Sequence, residues 1–178
     1  MLLRNGTLQD TIISDEMQTP ICEFCAKTDV LCEHCEKKMR EGTISQFDVN
    51  FSKELYEKHG QLDIEYVSSF NAKDALVLFF KGDVGVIVGR GGRGALELGR
   101  KFGKRVKIIN LNSDIKKVIS DIIYPVNLLG LNTIFTADGE ISKVRFSKRD
   151  LVKIPFDISS IEKILFKLLN KKIRIVFE

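Results

Sequence analysis

Four cysteines lie within a span of fourteen residues and offer the clearest chemistry in this chain. They form two C-x-x-C pairs, Cys22 with Cys25 and Cys32 with Cys35, and six residues separate the pairs. Four thiolates arranged in such pairs are the usual ligands of a tetrahedral structural zinc ion. The sequence therefore predicts one structural Zn²⁺ per chain, bound by a compact finger over residues 21–42.

Other uses of the four thiols fit the sequence less well. Disulfides are uncommon in intracellular proteins, and the rest of the sequence indicates an intracellular protein. An iron–sulfur cluster has the right ligands, but the spacing is not the usual one of ferredoxins. His34 lies between Cys32 and Cys35 and could in principle replace one ligand. Because four cysteines already complete a tetrahedral set, we interpret His34 as a bystander.

A second group of residues, rich in glycine and arginine, has the composition of a phosphate-binding loop. A β-branched apolar run, Val84–Val88, leads into the sequence GRGG at residues 89–92, and a helical pattern begins at once. Glycines let another backbone come into contact, and the N–H groups at the beginning of a helix point outward to an anion. Seven of the eighteen residues from Arg90 to Lys107 are Lys or Arg, against one acid. This combination predicts contact with a nucleic-acid backbone.

The same stretch resembles the Ile-Gly-x-x-Gly signature of the KH family of RNA-binding domains. In that family the GXXG loop clamps about four nucleotides of a single strand. The resemblance implies that the loop grips single-stranded RNA, that basic residues of the loop and the following helix contact or attract phosphates, and that an apolar groove reads the bases. The implied RNA-binding residues are Gly89, Arg90, Gly91, Gly92, Arg93, Arg100, Lys101, Lys104 and Arg105, with Val88, Leu96 and Ile108 as candidates for the groove.

The glycines also match, in outline, the G-x-G-x-x-G fingerprint of dinucleotide-binding domains, with Asp114 twenty residues beyond Gly94. The acid of that fingerprint should end the second strand, whereas Asp114 begins a predicted helix. The sequence Ala137-Asp138-Gly139 favours a hairpin over a further β-α-β unit. A Walker loop is excluded because no Gly-Lys-Ser/Thr follows. We therefore prefer the KH interpretation to dinucleotide binding or to a purely structural glycine turn.

The elements around the glycine loop are predicted in the order helix–strand–strand–helix–helix–strand over residues 43–112. The continuous apolar run Ala75–Phe80 predicts a strand that is covered on both faces. This is the element order of the prokaryotic, type II KH fold. The predicted elements are a helix over 47–60 capped by Asn50 or Ser52, strands over 64–70 and 75–80, a helix that ends at Gly103 and a strand that begins at Val106.

A fainter copy of the same order occupies residues 113–178. Where a GXXG loop should precede the helix, the chain has Pro155-Phe156-Asp157-Ile158, which offers no glycine and places a carboxylate where phosphate should lie. We interpret this second unit as a structural partner of the first, while Lys143, Arg145, Lys148 and Arg149 either contact RNA or are solvated charges. The predicted elements are a helix over 114–122 capped by Ser113 or Asp114, strands over 131–136 and 141–147, a helix from Ile158 to Leu168 and a strand over 173–177.

The sequence thus predicts an α+β protein with two tandem type II (prokaryotic) KH domains, whose three-stranded sheets are packed by helices, after a small zinc-binding finger. Residues 1–20 are expected to be a flexible N-terminal segment. This layout resembles the archaeal NusA-like transcription factors that carry such a finger. The resemblance implies a non-enzymatic protein that acts in transcription elongation or termination, with single-stranded RNA and RNA polymerase as partners. A ribosome-associated or RNA-processing module, or a protein-interaction adaptor, remains open.

Charge and hydropathy agree with an RNA-binding body. Residues 1–60 carry 7 Lys/Arg and 11 Asp/Glu, whereas residues 61–178 carry 21 and 13. An acidic head on a basic body indicates that the body meets an anionic polymer. No apolar run has membrane-spanning length and no signal peptide is recognisable, so we expect a cytoplasmic protein. The two histidines, His34 and His59, lie far apart and we find no catalytic constellation, so no enzymatic activity is expected.

Overall fold

The computed structural model describes residues 17–28, 30–137 and 139–178. Residues 1–16 of the predicted flexible segment, and Asp138 of the predicted hairpin turn, lie outside the described residues. We call residues 43–112 the first unit and residues 113–178 the second unit. The cysteine-bearing segment precedes both.

Three helices form the cysteine-bearing segment and the beginning of the first unit. The first two begin directly after the first cysteine of each pair. The third begins after Ser45, whose hydroxyl accepts the Asp48 N–H (3.1 Å) while the Asp48 carboxylate accepts the Ser45 N–H (2.8 Å). This reciprocal pair is a capping box, so the prediction of Asn50 or Ser52 as the cap is wrong. The helices are α1 (Glu23–Lys27), α2 (Glu33–Arg40) and α3 (Gln46–His59).

The first unit contains a three-stranded sheet in the order β1-β2-β3, with β1 antiparallel and β3 parallel to β2. The parallel pair needs a crossover, which two helices supply. The last four residues of the β-branched run Val84–Val88 form the first of these helices. The Asp83 carboxylate accepts the Gly85 N–H (2.9 Å) at the beginning of the helix, and the Ile87 side chain is buried. The elements are β1 (Ile64–Asn71), β2 (Ala75–Gly82), α4 (Gly85–Val88), α5 (Arg93–Phe102) and β3 (Arg105–Asn110).

Both faces of β2 are covered, as the apolar run Ala75–Phe80 predicts. Every second side chain from Leu76 to Phe80 packs in a core with α3, α4 and α5. The alternate side chains from Ala75 to Phe79 pack against the second unit. All six are at most 3% exposed. Burying a large apolar side chain contributes about 1.5–3 kcal/mol, so this strand anchors both layers of the protein.

The second unit has its own sheet in the order β4-β5-β6, with the same antiparallel and parallel pairing. Its hairpin is confirmed, since Thr136 lies opposite Gly139. Asp114, one of the two predicted caps, accepts the Lys116 N–H (3.0 Å). The elements are α6 (Ile115–Ile123), β4 (Leu128–Thr136), β5 (Gly139–Phe146), a 3₁₀ turn (Lys148–Lys153), α7 (Ile158–Leu169) and β6 (Lys172–Phe177).

One hydrophobic core joins the two units. It contains the outer face of the first sheet, the buried sides of α6 and α7, and Val144 and Phe146 of β5. Phe156, from the loop before α7, is part of the same core and is 7% exposed. The outcome is an α+β fold with two three-stranded sheets packed by helices, an arrangement consistent with tandem KH domains. No helix among the described residues has the length and apolar character that a membrane crossing requires.

Candidate metal centre and nucleic-acid interface

The four cysteine sulfurs converge on one point. All four Sγ atoms lie within 4.8 Å of one another. Cys22 Sγ lies 3.3 Å from Cys25 Sγ and 3.8 Å from Cys32 Sγ. Tetrahedral zinc with Zn–S bonds of about 2.3 Å places sulfurs roughly 3.8 Å apart, so the cluster has the size of one metal ion. His34 is exposed and does not belong to this group.

Each cysteine pair sits at the beginning of a short helix in the same way. Cys22 and Cys32 precede α1 and α2 with nearly the same backbone angles, φ −72° and ψ 159° against φ −75° and ψ 161°. The Cys22 N–H donates to Cys35 Sγ (3.4 Å) and the Cys32 N–H donates to Cys25 Sγ (3.0 Å). The two halves of the finger therefore support each other's sulfurs through crossed backbone hydrogen bonds.

The protonation of the thiols differs with their surroundings. Burial raises the pKa of Cys25 to about 12 and also raises the pKa of Cys35. A hydrogen bond involving the Cys35 backbone lowers the pKa of Cys32 to about 7. Thiolates are the species that bind metal, and a bound cation compensates the buried negative charge. The donor set and its geometry fit one metal ion held by Cys22, Cys25, Cys32 and Cys35.

The glycine loop between α4 and α5 depends on backbone conformations that favour glycine. Gly89, Gly91 and Gly92 have φ of 69°, 62° and 76°. A Cβ at Gly91 or Gly92 would meet no atom within 4 Å, so the outer side of the loop is open. A Cβ at Gly94 would lie 2.0 Å from the Ile87 carbonyl oxygen. Three of these glycines thus shape an open loop, while the fourth lets α4 and α5 touch.

A groove of about 790 Å³ runs beside the loop, between α5 and the beginning of β3. Leu96 lies in it and is 60% exposed, whereas Ile108 packs in the core under the first sheet and Val88 lies outside the lining. Val106, on the same face of β3 as Ile108 but nearer the loop end of the groove, lines the groove although we did not predict it. The lining residues are Asp74, Gly91, Gly92, Ala95, Leu96, Gly99, Arg100, Gly103, Lys104, Arg105 and Val106.

Three arginines of the predicted site keep their cationic groups available. Arg90, Arg93 and Arg100 are exposed, and none of them has a hydrogen-bond or ion-pair partner among the described residues. Arg100 lines the groove, while Arg90 and Arg93 flank the loop glycines in sequence. The loop thus places cations at both ends of the open backbone.

The other predicted basic residues have partners within the protein. Lys101 forms an ion pair with Glu54 of α3. Lys104 donates to the Asn71 side chain (2.5 Å) and the Ala72 carbonyl (2.7 Å), so it joins the turn before β3 to the β1–β2 turn. Arg105 donates from Nη2 to the Pro155 carbonyl (3.0 Å) in the second unit. Their roles toward RNA remain predictions.

Lys107, the last cation of the basic cluster, binds the second unit instead of facing the groove. Its Nζ donates to the carbonyls of Asp121 (3.1 Å), Ile122 (2.7 Å) and Tyr124 (2.7 Å) at the end of α6. A cation at this end of a helix satisfies carbonyls that have no partner in the helix. Burial, with a smaller contribution from Arg105, lowers the pKa of Lys107 to about 8.

The loop before α7, which corresponds to the glycine loop, is closed. Pro155 and Phe156 are buried, and the Phe156 ring lies 5.8 Å from Lys107 Nζ. The Asp157 carboxylate caps α7, accepting the Ser160 N–H (2.8 Å) and hydroxyl (2.6 Å). These bonds from Ser160 lower the pKa of Asp157. Pro155 and Phe156 are thus covered, in contrast to the exposed Gly91.

Comparisons with known proteins reach part of the chain. Over 75 residues it is 31% identical to the probable transcription termination protein NusA of Methanococcus vannielii, a match that spans 42% of each chain. No protein-family model matches the chain. The crystal structure of APE1850 aligns with 58% of this chain and 79% of its own length, at 21% identity and a TM-score of 0.42. That structural score is too low to carry an argument, so the partial sequence similarity is the comparison that bears on function.

Proposed function

We propose that this chain is a NusA-like RNA-binding protein that acts in transcription elongation or termination, and that single-stranded RNA binds across the glycine loop and groove of its first unit. The observation that carries the proposal is the groove itself. It combines an open glycine backbone, an exposed Leu96 and Arg100, which has no partner among the described residues, in one continuous surface. The similarity of 42% of the chain to a probable NusA supports the choice of transcription.

In this proposal each part of the groove meets a different part of the strand. The backbone of Gly91 and Gly92 lies against the phosphodiester chain, since no side chain keeps the strand away. Arg90 and Arg93 contact phosphates or stack on bases, and Arg100 adds charge along α5. Bases unstack over Leu96 and Val106, whose apolar surfaces are exposed or half-buried. The strand must be single because a duplex presents its bases inward.

The arrangement of the sheets supports the assignment to type II KH domains. Each unit has one antiparallel and one parallel strand pair, with a helix before the hairpin and α5 or α7 before the last strand. In the first unit α4 and α5 meet at the GXXG loop, which matches the predicted order of that fold.

We also propose that the metal is a structural Zn²⁺ held by Cys22, Cys25, Cys32 and Cys35. When bound, it cross-links the beginnings of α1 and α2, which are short helices of five and eight residues. Elemental analysis of protein purified without added metal should give one zinc per chain. Absence of zinc together with four reactive thiols would contradict this assignment. The acidic finger is proposed to meet protein, with RNA polymerase as its partner.

The experiment for the RNA site replaces Arg90 and Gly91 by Asp, which puts two carboxylates where phosphates should lie. Affinity for a single-stranded RNA should fall at least tenfold, while the melting temperature falls by a few degrees only, because both positions are exposed and the added strain is confined to the positive φ of Gly91. The matched control is Asn112→Asp with Lys116→Asp, which changes charge equally at exposed positions near the other end of β3. Equal losses of RNA affinity in both variants would show that general charge attraction causes the binding, and would contradict the proposal that RNA binds in the groove.

A ribosome-associated or RNA-processing role would use the same groove on another RNA. Crosslinking in cells, followed by sequencing of the bound RNA and identification of the co-purifying proteins, separates these roles. Nascent transcripts together with RNA polymerase subunits support transcription. Enrichment of ribosomal RNA would instead favour the alternative.

A further inference from the structure

Arg105 stands where the groove of the first unit meets the second unit. It is the first residue of β3, and its backbone N–H donates to the Asp74 carbonyl (3.2 Å). Arg105 is exposed and is one of the residues that line the groove. At the same time its Nη2 donates to the Pro155 carbonyl (3.0 Å). Arg105 therefore lies at the edge of the proposed RNA surface while its guanidinium contacts the second unit.

The Pro155 carbonyl is held in place from several sides. Pro155 itself is buried, and the next residue, Phe156, is part of the shared core. Lys107 follows Arg105 by two residues on the same face of β3. Its Nζ lies 5.8 Å from the centre of the Phe156 ring and binds the end of α6. Asp157 caps α7. The acceptor that orients Arg105 is thus fixed by the packing of the second unit.

A guanidinium can serve an anion and this carbonyl together. It carries five N–H donors in a planar fork, and Pro155 uses one of the two Nη groups. The guanidinium forms no other hydrogen bond or ion pair with the described residues. The hydrogen bond to Pro155 already restricts the guanidinium. Phosphate binding therefore costs less side-chain conformational entropy.

We propose that Arg105 is a phosphate contact positioned by the second unit, so that RNA in the first unit's groove and the docking of the second unit stabilise each other. This rests on the proposed function of the groove. It gives the second unit a role in RNA binding although its own loop is closed. Because coupling between two binding events is reciprocal, RNA must tighten the contact at Pro155 by the same factor as that contact tightens RNA.

The experiment measures hydrogen exchange of the amides of residues 156–161 in the full chain, with and without a saturating twelve-nucleotide single-stranded RNA. The wild-type protein should exchange more slowly at these amides when RNA is bound. The matched control is Arg100→Ala, which removes a cation from the same groove but touches no residue of the second unit in the described chain. It should weaken RNA binding severalfold yet retain the RNA-induced protection at saturation.

Arg105→Ala should weaken binding at least as much as Arg100→Ala and abolish the RNA-induced protection of residues 156–161. Arg105→Lys keeps the charge but not the fork, so it should recover most of the affinity and little of the protection. Full RNA-induced protection in Arg105→Ala at saturation would overturn the proposal, as would identical behaviour of both alanine variants. If the Arg90→Asp/Gly91→Asp variant binds RNA normally, the proposed function of the groove fails instead.

Discussion

The loop before α5 and the loop before α7 occupy the same place in the two units but are built for different neighbours. In the first unit, residues 89–92 adopt positive φ at three glycines and leave open space outside. In the second unit, Pro155 offers its carbonyl to Arg105 and Phe156 fills the shared core. A glycine loop cannot contribute apolar surface to a core, and a buried phenylalanine cannot approach a phosphate. The loop of the first unit is therefore open, whereas the loop of the second unit docks against the first unit.

The two sheets also differ in how completely their faces are covered. Strand β2 of the first unit is buried on both faces, because the second unit covers the face that its own helices leave open. Strand β5 alternates instead, with Val144 and Phe146 buried and Lys143 and Arg145 half-exposed and paired with Glu178. The first unit thus has the more complete core, and the second unit supplies the layer that completes it.

The largest expected effect is on stability at Phe156. Phe156→Ala should lower the free energy of unfolding by about 3–5 kcal/mol, because it empties a position in the shared core. Chemical denaturation followed by circular dichroism measures the loss. The matched variant Leu96→Ala changes an exposed side chain in the first unit's groove and should weaken RNA binding with little loss of stability. Similar stability losses at both positions would break the contrast between the two loops.

A smaller effect is expected at Asp157. Asp157→Ala removes the cap of α7 and should lower the melting temperature by roughly 2–4 °C. Because hydrogen bonds from Ser160 lower the pKa of Asp157 in the folded protein, its charge stabilises above the ordinary pKa of aspartate and loses that effect as the pH falls through the lowered folded value. Asp157→Ser keeps a capping oxygen and should retain most of the stability. If both variants bind RNA less well, the second loop has a ligand role that this account denies.

Local sequence patterns predicted the parts of the molecule that local chemistry determines. The paired cysteines converge, the apolar run of β2 is buried on both faces, and the hairpin strands pair as expected. The predicted N-terminal cap of α3 was wrong because the candidates Asn50 and Ser52 lie inside the helix. The signal for the correct cap was present in the spacing of Ser45 and Asp48.

The partners of the basic residues could not be predicted in this way. Arg105 and Lys107 belong to a cluster that the sequence assigns to phosphate. Their acceptors are carbonyls 14 to 50 residues further along the chain. Carbonyls carry no sequence signal, and only the packing of the second unit brings them near β3. The charge of the cluster was visible in sequence, but which of its cations contact the second unit could be learned only from the tertiary structure.

Whether the first loop binds a flexible single strand is tested most directly by a titration with single-stranded RNA and with a duplex of equal length at several salt concentrations. Single-stranded RNA should bind more tightly throughout. Roughly three to five phosphate contacts at about −0.7 each should give a log–log salt slope of about −2 to −4. A merely basic surface would instead prefer the duplex, whose charge density is higher, with a steeper slope. Tighter binding of the duplex at every salt concentration would contradict the account.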